Sequence, residues 1–315
     1  MTRWTTAPDG RSERTATNST ACEGVPPTGG AAVPAREETR TTPAEWARTL
    51  AQGTVAGTLH LPRADAADGC GGTGGRAPRG RARTQSLPVT HLSDATGGLL
   101  LLVELGTPLH ARLLELGAEA GEHGLPVVLD VLDVPPGQAA LPRARLCVTG
   151  WALAVPPAEQ RRVAQAAAAA RPLGALLDVG STRQLWRVDP GDVRVTTADG
   201  VHLVAEEALL TATPDPLYDD EDALVTHLEA HHSDELIGWV LRTLPLEQAR
   251  EVREVSVVGA DRYGLDVLCT VAGGTTLLRG AFDAPVRSDA DLPAALCRLF
   301  GCPCARRGAL AGAHR

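Results

Sequence analysis

Short β-like segments separated by turn residues fill the middle of the chain, and they constrain the fold more than any other feature. Turn chemistry at residues 94–98 and 198–200 joins neighbouring segments as hairpins. A series of hairpin-connected strands with few interleaved helices favours an antiparallel barrel over a doubly wound sheet. Closure also removes the exposed edges that long apolar strands would otherwise present. Strands are predicted at 56–61, 86–92, 99–104, 125–134, 144–155, 184–188, 193–197 and 201–204.

Helix-start signals mark where the barrel strands are interrupted. Thr42 is placed as an N-cap, with Pro at the first helical position and Glu45 at the third, which predicts a helix carrying Trp46 and Leu50 on one face. Thr107 and the proline after it begin a second helix that runs to about residue 116. A third helix is predicted over 158–171, where Pro172 ends it.

The last third of the chain has a different pattern. Helical spacing runs over 219–244, strands are predicted at 253–258, 265–271 and 275–281, and a helix over 289–299 follows. A unit of this size can bury one face of its sheet under two helices. The predicted fold class is therefore α+β: an antiparallel barrel followed by a small α-β-β-β-α domain.

The length and composition allow this division into parts. The chain has 315 residues, of which 43% are hydrophobic, enough for one large or two modest cores. Residues 1–42 are polar and lack a hydrophobic period, so we expect a disordered tail. The barrel is expected over 43–212, the α+β domain over 213–300 and a flexible tail over 301–315.

Several functional classes are disfavoured by composition. A net charge of −8 argues against nucleic-acid binding. The sequence lacks an apolar run of membrane-spanning length and an N-terminal signal-like segment, so a cytoplasmic protein with no membrane contact is expected. Seven cysteines without framework spacing agree with a reducing compartment. Cys302 and Cys304 supply half a zinc site at most, and exposed thiols in a tail are the preferred interpretation.

Motifs in the last third resemble a known family. The helix carries His227, His232 and Asp234 in the pattern of the C-terminal domain of unknown function in haem-utilisation (HugZ-like) proteins, with Glu229 and His231 replacing its Asn and Asp. Residues 261–266 match the turn of that domain, and Phe282 and Pro285 match its ending. The preceding layout resembles the FMN-binding, pyridoxamine-phosphate-oxidase-like split barrel, so the resemblance covers roughly residues 43–300.

The resemblance implies a homodimer with its ligand, haem or FMN, at the subunit interface. Residues 106–112 stand where flavin-binding relatives hold the flavin phosphate. His110 and Arg112 match, but the Thr and Asn of those relatives are replaced by Ala111 and Leu113. Each lost hydrogen-bond partner of the phosphate would cost roughly 1–3 kcal/mol. An arginine before the second strand, Arg81 or Arg83, is the further candidate for the phosphate.

The histidines at 227, 231 and 232 are the candidate haem ligands. His227 and His231 are four residues apart and share a helix face, and imidazole is a good axial ligand of haem. The preferred alternative is structural: His227 caps the helix or packs under the sheet, and the other two are partly solvated. A zinc site formed by His227, His231 and Glu235 is a third interpretation.

Three functions remain open from the sequence. The first is a dimer that binds haem, a related tetrapyrrole or a flavin and acts in haem handling or in regulation, without robust catalysis. The second is a flavin-linked oxidoreductase or a HugZ-like haem oxygenase, and the third is a dimer that has lost its cofactor. Catalytic residues are not assigned. The acidic run 219–222 is interpreted as charge that offsets the helix dipole, and the arginines over 76–83 as a solvated loop.

Overall fold

The structure is a computed structural model, and it describes residues 40–53, 55–62, 84–94, 96–134 and 142–301. Three sequence predictions lie outside these residues: nearly all of the N-terminal tail, the tail after Gly301, and the arginine-rich loop with Arg81 and Arg83. The described residues of the barrel and of the following α+β part belong to one compact unit.

Seven strands and four helices build the first part of the described chain. The helices are α1 (Pro43–Ala51), α2 (Pro108–Ala120), α3 (Pro157–Ala170) and α4 (Glu206–Thr211). The strands are β1 (Gly57–Pro62), β2 (Thr84–Ser93), β3 (Leu99–Glu104), β4 (Leu125–Asp133), β5 (Ala144–Ala154), β6 (Arg183–Thr197) and β7 (Gly200–Val204).

These strands form a closed antiparallel barrel. Their order is β3-β2-β1-β4-β5-β6-β7, and a further pairing of β3 with β6 closes six of them into a ring. The predicted barrel is therefore confirmed. Alternate side chains point inward and pack without solvent exposure, as the period of a strand requires. Fully buried examples are Leu59, Leu101, Leu129, Leu146 and Val195.

Helix α1 packs against the barrel and begins where its cap predicts. The Thr42 side chain accepts a hydrogen bond from the Glu45 backbone N–H, and the Glu45 carboxylate accepts one from the Thr42 N–H at 2.8 Å. This reciprocal capping box satisfies donors that the first turn leaves unpaired. The carbonyl of Leu50 in this helix lies 2.8 Å from Nε2 of His91 on β2, a fully buried histidine.

One strand prediction in the barrel is wrong. Two separate strands were expected at 184–188 and 193–197, but β6 is continuous from Arg183 to Thr197 and contains Pro190. The register between β5 and β6 shifts between Thr149 and Gly150, which leaves Gly191 of β6 without a partner. Proline, which has no N–H for the ladder, is tolerated beside such a bulge. The close approach at Gly150 leaves no room for a Cβ atom, which would lie 2.2 Å from the Asp189 carbonyl oxygen.

A three-stranded antiparallel sheet follows the barrel. Its order is β10-β9-β8, and its core lies on the face that the helices cover. The α+β prediction is confirmed here as well. The strands are β8 (Glu254–Asp261), β9 (Gly264–Val271) and β10 (Gly274–Ala281), and the helices are α5 (Glu221–His231), α6 (Ser233–Thr243), α7 (Leu246–Ala249) and α8 (Leu292–Phe300).

The single helix predicted over 219–244 is two helices. His232 interrupts it with φ −129° and ψ 23°, outside the helical region. Helix α5 packs on β8, whereas α6 packs on α8. A straight helix cannot follow both surfaces, so the chain turns at His232. No helix within the described ranges is long and apolar enough to span a membrane.

Candidate ligand-binding site

The three predicted histidines form one surface cluster where α5 meets α6. The ring centroids of His227 and His231 are 4.9 Å apart, and those of His227 and His232 are 5.3 Å apart. His227 and His231 are exposed, and Nδ1 of His232 lies 4.0 Å from Oε2 of Glu235. The expectation that His227 packs under the sheet is wrong, because Val225 and Leu228 take the buried positions of α5.

The zinc interpretation of this cluster gains no support. Across the part of the chain that the structure describes, no group of three His, Cys, Asp or Glu side chains is placed to hold a metal ion. Closed zinc sites need four ligands at about 2.0–2.3 Å in tetrahedral geometry. The cluster therefore offers accessible imidazoles rather than a preformed metal cage.

Helix α2 holds the predicted flavin residues His110 and Arg112. The Gly106 N–H donates to Nδ1 of His110 at 3.2 Å, so this nitrogen accepts and the ring is oriented by the turn before the helix. Arg112 donates from Nη1 to Glu115 at 2.6 Å and from Nη2 to the Pro62 carbonyl at 2.8 Å. Its Nε is buried without a hydrogen-bond partner.

Arg112 keeps unused N–H donors that could bind a phosphate. A guanidinium carries five N–H groups, and the bonds to Glu115 and to the Pro62 carbonyl use two of them, while the buried Nε–H has no partner. The other predicted phosphate ligands, Arg81 and Arg83, lie outside the described residues. The bond from Arg112 to the Pro62 carbonyl links α2 to the end of β1.

A large apolar cavity lies where the three-stranded sheet faces the barrel, and we call it the interface cleft. Its volume is about 720 Å³, within the range of small-molecule sites. On the barrel side, cross-strand pairing places Arg145 beside both Leu132 and Thr196. The lining residues are Leu132, Pro142, Arg143, Ala144, Arg145, Thr196, Thr197, Ala198, Val258, Asp266, Leu268 and Leu277.

The opposite wall of the cleft is the face of the sheet that the helices do not cover. Leu265, Val267 and Cys269 of β9 point into the helix-covered core, so the residues between them point the other way. Leu268 on this second face pairs across the strands with Leu277 of β10. The cleft thus lies between two β surfaces, each carrying apolar side chains.

The base of the cleft is fixed by an ionic cluster around Arg143, which we call the clamp. Arg143 donates from Nε to Asp133 at 2.8 Å and from Nη1 and Nη2 to the two carboxylate oxygens of Glu221 at 2.5 and 2.7 Å. Glu221 also accepts from the Ala260 N–H at 2.7 Å, and the Tyr218 hydroxyl donates to Asp133 at 2.7 Å. The clamp therefore joins the barrel, helix α5 and strand β8.

The carboxylates of the clamp keep Arg143 charged, although burial raises the pKa of Glu221. Burial by itself would lower the pKa of Arg143, but the hydrogen bonds and charge of Glu221, and then those of Asp133, raise it above the usual value. Asp133 and Glu221 are 2% and 3% exposed, so a missing arginine would leave two buried carboxylates unpaired. Burial and the negative charge of Asp133 raise the pKa of Tyr218, which keeps its proton in the bond to Asp133.

A second polar junction lies beside α1. Glu45 of the capping box accepts a hydrogen bond from the Tyr263 hydroxyl at 2.6 Å and lies 3.4 Å from Nη1 of Arg262. Burial, followed by the bond to Glu45, raises the pKa of Tyr263 to about 12. The Arg262 N–H donates to Asp215 at 2.9 Å. Burial raises the pKa of Asp215 to about 6, although two backbone N–H bonds oppose the rise.

The sequence interpretation missed the clamp and the cleft. Glu221 was assigned to the helix dipole as part of the acidic run, yet it lies on one helical face with Val225 and Leu228, at spacings of four and seven. An acidic residue inside an apolar stripe was the available signal. Arg143 carried no such signal, because its partner Glu221 is 78 residues away in the chain.

The sequence matches no protein-family profile, and no curated protein matches it. Among solved structures it is similar to a heme binding protein from Mycobacterium smegmatis, with a TM-score of 0.55 and 22% identity over 85% of this chain and 99% of that one. A FAD and heme binding protein from the same organism aligns at TM-score 0.34 and 12% identity, covering 56% of this chain and 80% of that one.

HutZ, a heme storage protein from Vibrio cholerae, aligns at TM-score 0.32 and 14% identity, over 49% of this chain and 89% of that one. The alignment with the heme binding protein from Mycobacterium smegmatis covers 85% of this chain, so it includes part of the chain after the barrel. It agrees with the strand order, in which a closed six-stranded ring precedes a separate sheet. The chain therefore has the predicted α+β fold, a split β-barrel followed by a second small sheet with helices.

Proposed function

We propose that this protein binds haem or a related tetrapyrrole as a homodimer, in haem handling or regulation and without robust catalysis. The observation that carries the proposal is the cluster of three accessible imidazoles at 227, 231 and 232. The fold supports it, since the chain aligns over 85% of its length with a protein described as heme binding.

The cluster suits axial ligation of haem iron. The rings of His227 and His231 are exposed, so an imidazole can reach a ligand without breaking a buried contact. Neutral imidazole is the usual proximal ligand of haem. The exposed positions next to His227 on the same surface of α5 are Ala223 and Ala230, whose side chains are too small to cover a ring, so an apolar cover would come from the partner subunit.

Flavin binding is the alternative, with His110, Arg112, Arg81 and Arg83 as the proposed phosphate ligands. Arg112 would bind the phosphate with the N–H groups that its bonds to Glu115 and to the Pro62 carbonyl leave unused. Haem is favoured over FMN because the structure that aligns over 85% of this chain is that of a heme binding protein. An oxidoreductase or haem oxygenase function depends on one of these two cofactors, and a dimer without a cofactor is the remaining alternative.

Exposed apolar side chains support the dimer. Trp151 and Leu153 are 46% and 40% exposed, lie two residues apart on β5 and share a face, and Leu114 of α2 is 47% exposed. Leu114 and Leu153 line a cavity of about 450 Å³ together with Trp186, whose indole N–H is buried without a partner. Monomers seldom expose contiguous apolar surface of this kind, so a second copy is the proposed cover.

Haem titration followed by absorption spectroscopy tests the function. We expect a saturable shift of the Soret band that is lost when His227, His231 and His232 are all replaced by Ala. His123→Ala, which removes an exposed imidazole elsewhere, is the matched control and should bind as the wild type does. An unshifted Soret band in the wild type would refute haem binding. FMN titrated in parallel separates the flavin alternative from a protein without a cofactor.

Light scattering tests the dimer. Trp151→Glu places a charge on the proposed interface and should convert the dimer into a monomer. Leu177→Glu changes a side chain that is 88% exposed on another surface, and we expect it to leave the dimer intact. A wild-type protein that is monomeric at micromolar concentration would contradict the proposal.

A further inference from the structure

We propose that the interface cleft is a second binding site, which holds the ring of a tetrapyrrole by shape and by its carboxylates and not through its iron. The class of ligand rests on the proposed function, whereas the site itself is separate from the histidine cluster. No comparison assigns this cavity, and none of its described lining residues belongs to the cluster.

The walls of the cleft suit a flat molecule. Leu132 and Arg145 are direct partners on the barrel side, and Leu268 and Leu277 are direct partners on the sheet side. Two pleated surfaces facing one another enclose a slab of space. Leu132 and Leu277 are 43% and 58% exposed, so both walls present apolar surface that a ring would cover.

The clamp keeps this space open. It ties residue 143, at the start of one wall, to Glu221 and through Glu221 to the backbone of Ala260 in the other wall. Both carboxylates that Arg143 contacts are buried, so its guanidinium stays bound to them and does not bind a ligand anion. The separation of the two walls is therefore set before any ligand arrives, as pre-organised binding requires.

Polar groups at the rim suit the carboxylates of the ligand. Arg145 lines the cleft, is 55% exposed and uses Nε and Nη2 for Asp130, which leaves its Nη1 donors for another acceptor. Thr196 pairs with Arg145 and adds a hydroxyl group. The acidic group in the lining, Asp266, lies 3.3 Å from Nη1 of Arg279, an arginine that it shares with Asp261. A propionate can bind at Arg145 without opposing an unpaired carboxylate.

The cleft provides no ligand for iron. Its described lining residues include no histidine, cysteine, methionine or tyrosine. The usual axial ligands of haem iron are imidazole, thiolate, thioether and phenolate. A metal-free porphyrin should therefore bind this site as well as haem does, whereas binding at the histidine cluster requires the iron.

Titration with protoporphyrin IX, followed by its fluorescence, tests the site in the full-length protein. We expect saturable binding, weakened at least tenfold by Leu132→Glu and by Leu277→Glu, each of which places a carboxylate in the slab. Leu203→Glu changes a leucine on β7 that is 69% exposed and does not line the cleft, and it is the control. Replacement of all three histidines by Ala should leave protoporphyrin affinity unchanged. Circular dichroism and melting temperature check that each variant is folded.

The outcomes separate this inference from the proposed function. Haem binding that depends on the histidines, without protoporphyrin binding, would overturn the second site and leave the function standing. Protoporphyrin binding that is equal in the wild type, Leu132→Glu and Leu277→Glu would also overturn it. Complete displacement of protoporphyrin by equimolar palmitate would identify a site for linear carboxylates instead. Binding of neither haem nor protoporphyrin would refute both proposals.

Discussion

Each of the six barrel strands has a hydrogen-bonded neighbour on both sides, whereas the three-stranded sheet ends at β8 and β10 and has helices on one face only. The barrel buries its apolar residues within a closed ring. The second face of the sheet lies across the interface cleft from the barrel, and polar contacts connect the two parts. The comparison indicates that the barrel is held by packing, and that the position of the sheet depends on a few buried charges.

The largest expected effect is at the clamp. Arg143→Met would leave Asp133 and Glu221 buried without their cation, and breaking a buried ion pair typically costs about 3–5 kcal/mol. Arg145→Met, in the same strand region, removes an exposed partner of Asp130 and should cost about 0–1 kcal/mol. Urea unfolding monitored by circular dichroism measures both. Equal losses in the two variants would contradict a special role for the clamp.

The next largest effect is expected in the sheet, where substitutions on its two faces should change stability by different amounts. Leu265→Ala removes a fully buried side chain from the helix-covered face and should cost about 2–5 kcal/mol. Leu277→Ala on the open face should stay within about 0.5 kcal/mol in the ligand-free protein, since that side chain is 58% exposed. Chemical denaturation of both variants is the measurement. A large loss from Leu277→Ala would mean that the open face is covered.

The pH dependence of the stability tests the packing of the barrel at His91. Burial lowers the pKa of His91 in the folded state, so its contribution to stability is present above its unfolded pKa and is lost as pH falls. Between pH 7.5 and 5.5 the wild type should lose more stability than His91→Gln, which keeps an amide donor for the Leu50 carbonyl.

The raised pKa of Asp215 changes stability with pH in the direction opposite to that of His91. Its contribution to stability is present at low pH and is lost as pH rises through about 6. Because Asp215 is present in both proteins, comparing the wild type with His91→Gln cancels its effect. Identical pH profiles of the two proteins would show that His91 does not titrate as its burial requires.

The smallest expected effect is at the second polar junction. Tyr263→Phe removes the hydroxyl bond to Glu45 and should cost about 1 kcal/mol, the typical net value of one hydrogen bond. Glu45 keeps its bonds to Thr42, so α1 should retain its cap. A double-mutant cycle with Glu45→Gln, followed by thermal unfolding, measures the coupling. A coupling energy near zero would show that this contact does not hold the sheet to the barrel.

The sequence was informative wherever the deciding contacts are local. The capping box at Thr42 and Glu45, the hairpins and the shared face of His227 and His231 depend on residues a few positions apart. The continuity of β6 through Pro190 depends on distant partner strands, and the break at His232 depends on two different packing surfaces. The clamp and the cleft form only when the barrel meets the sheet. The boundary between the two parts at 212 and 213 stays a prediction.

The long strand β6 has a consequence for how the chain folds. Without it, the strands before it form an open sheet in the order β3-β2-β1-β4-β5, whose edges are β3 and β5. Strand β6 pairs with both of these edges. During synthesis both edges stay unpaired until Arg183 and the residues after it have left the ribosome, and unpaired edges invite aggregation. Barrel closure is thus a late, non-local step, which favours slow folding. A delay in the pairing of β6 leaves both edges of the sheet exposed for longer.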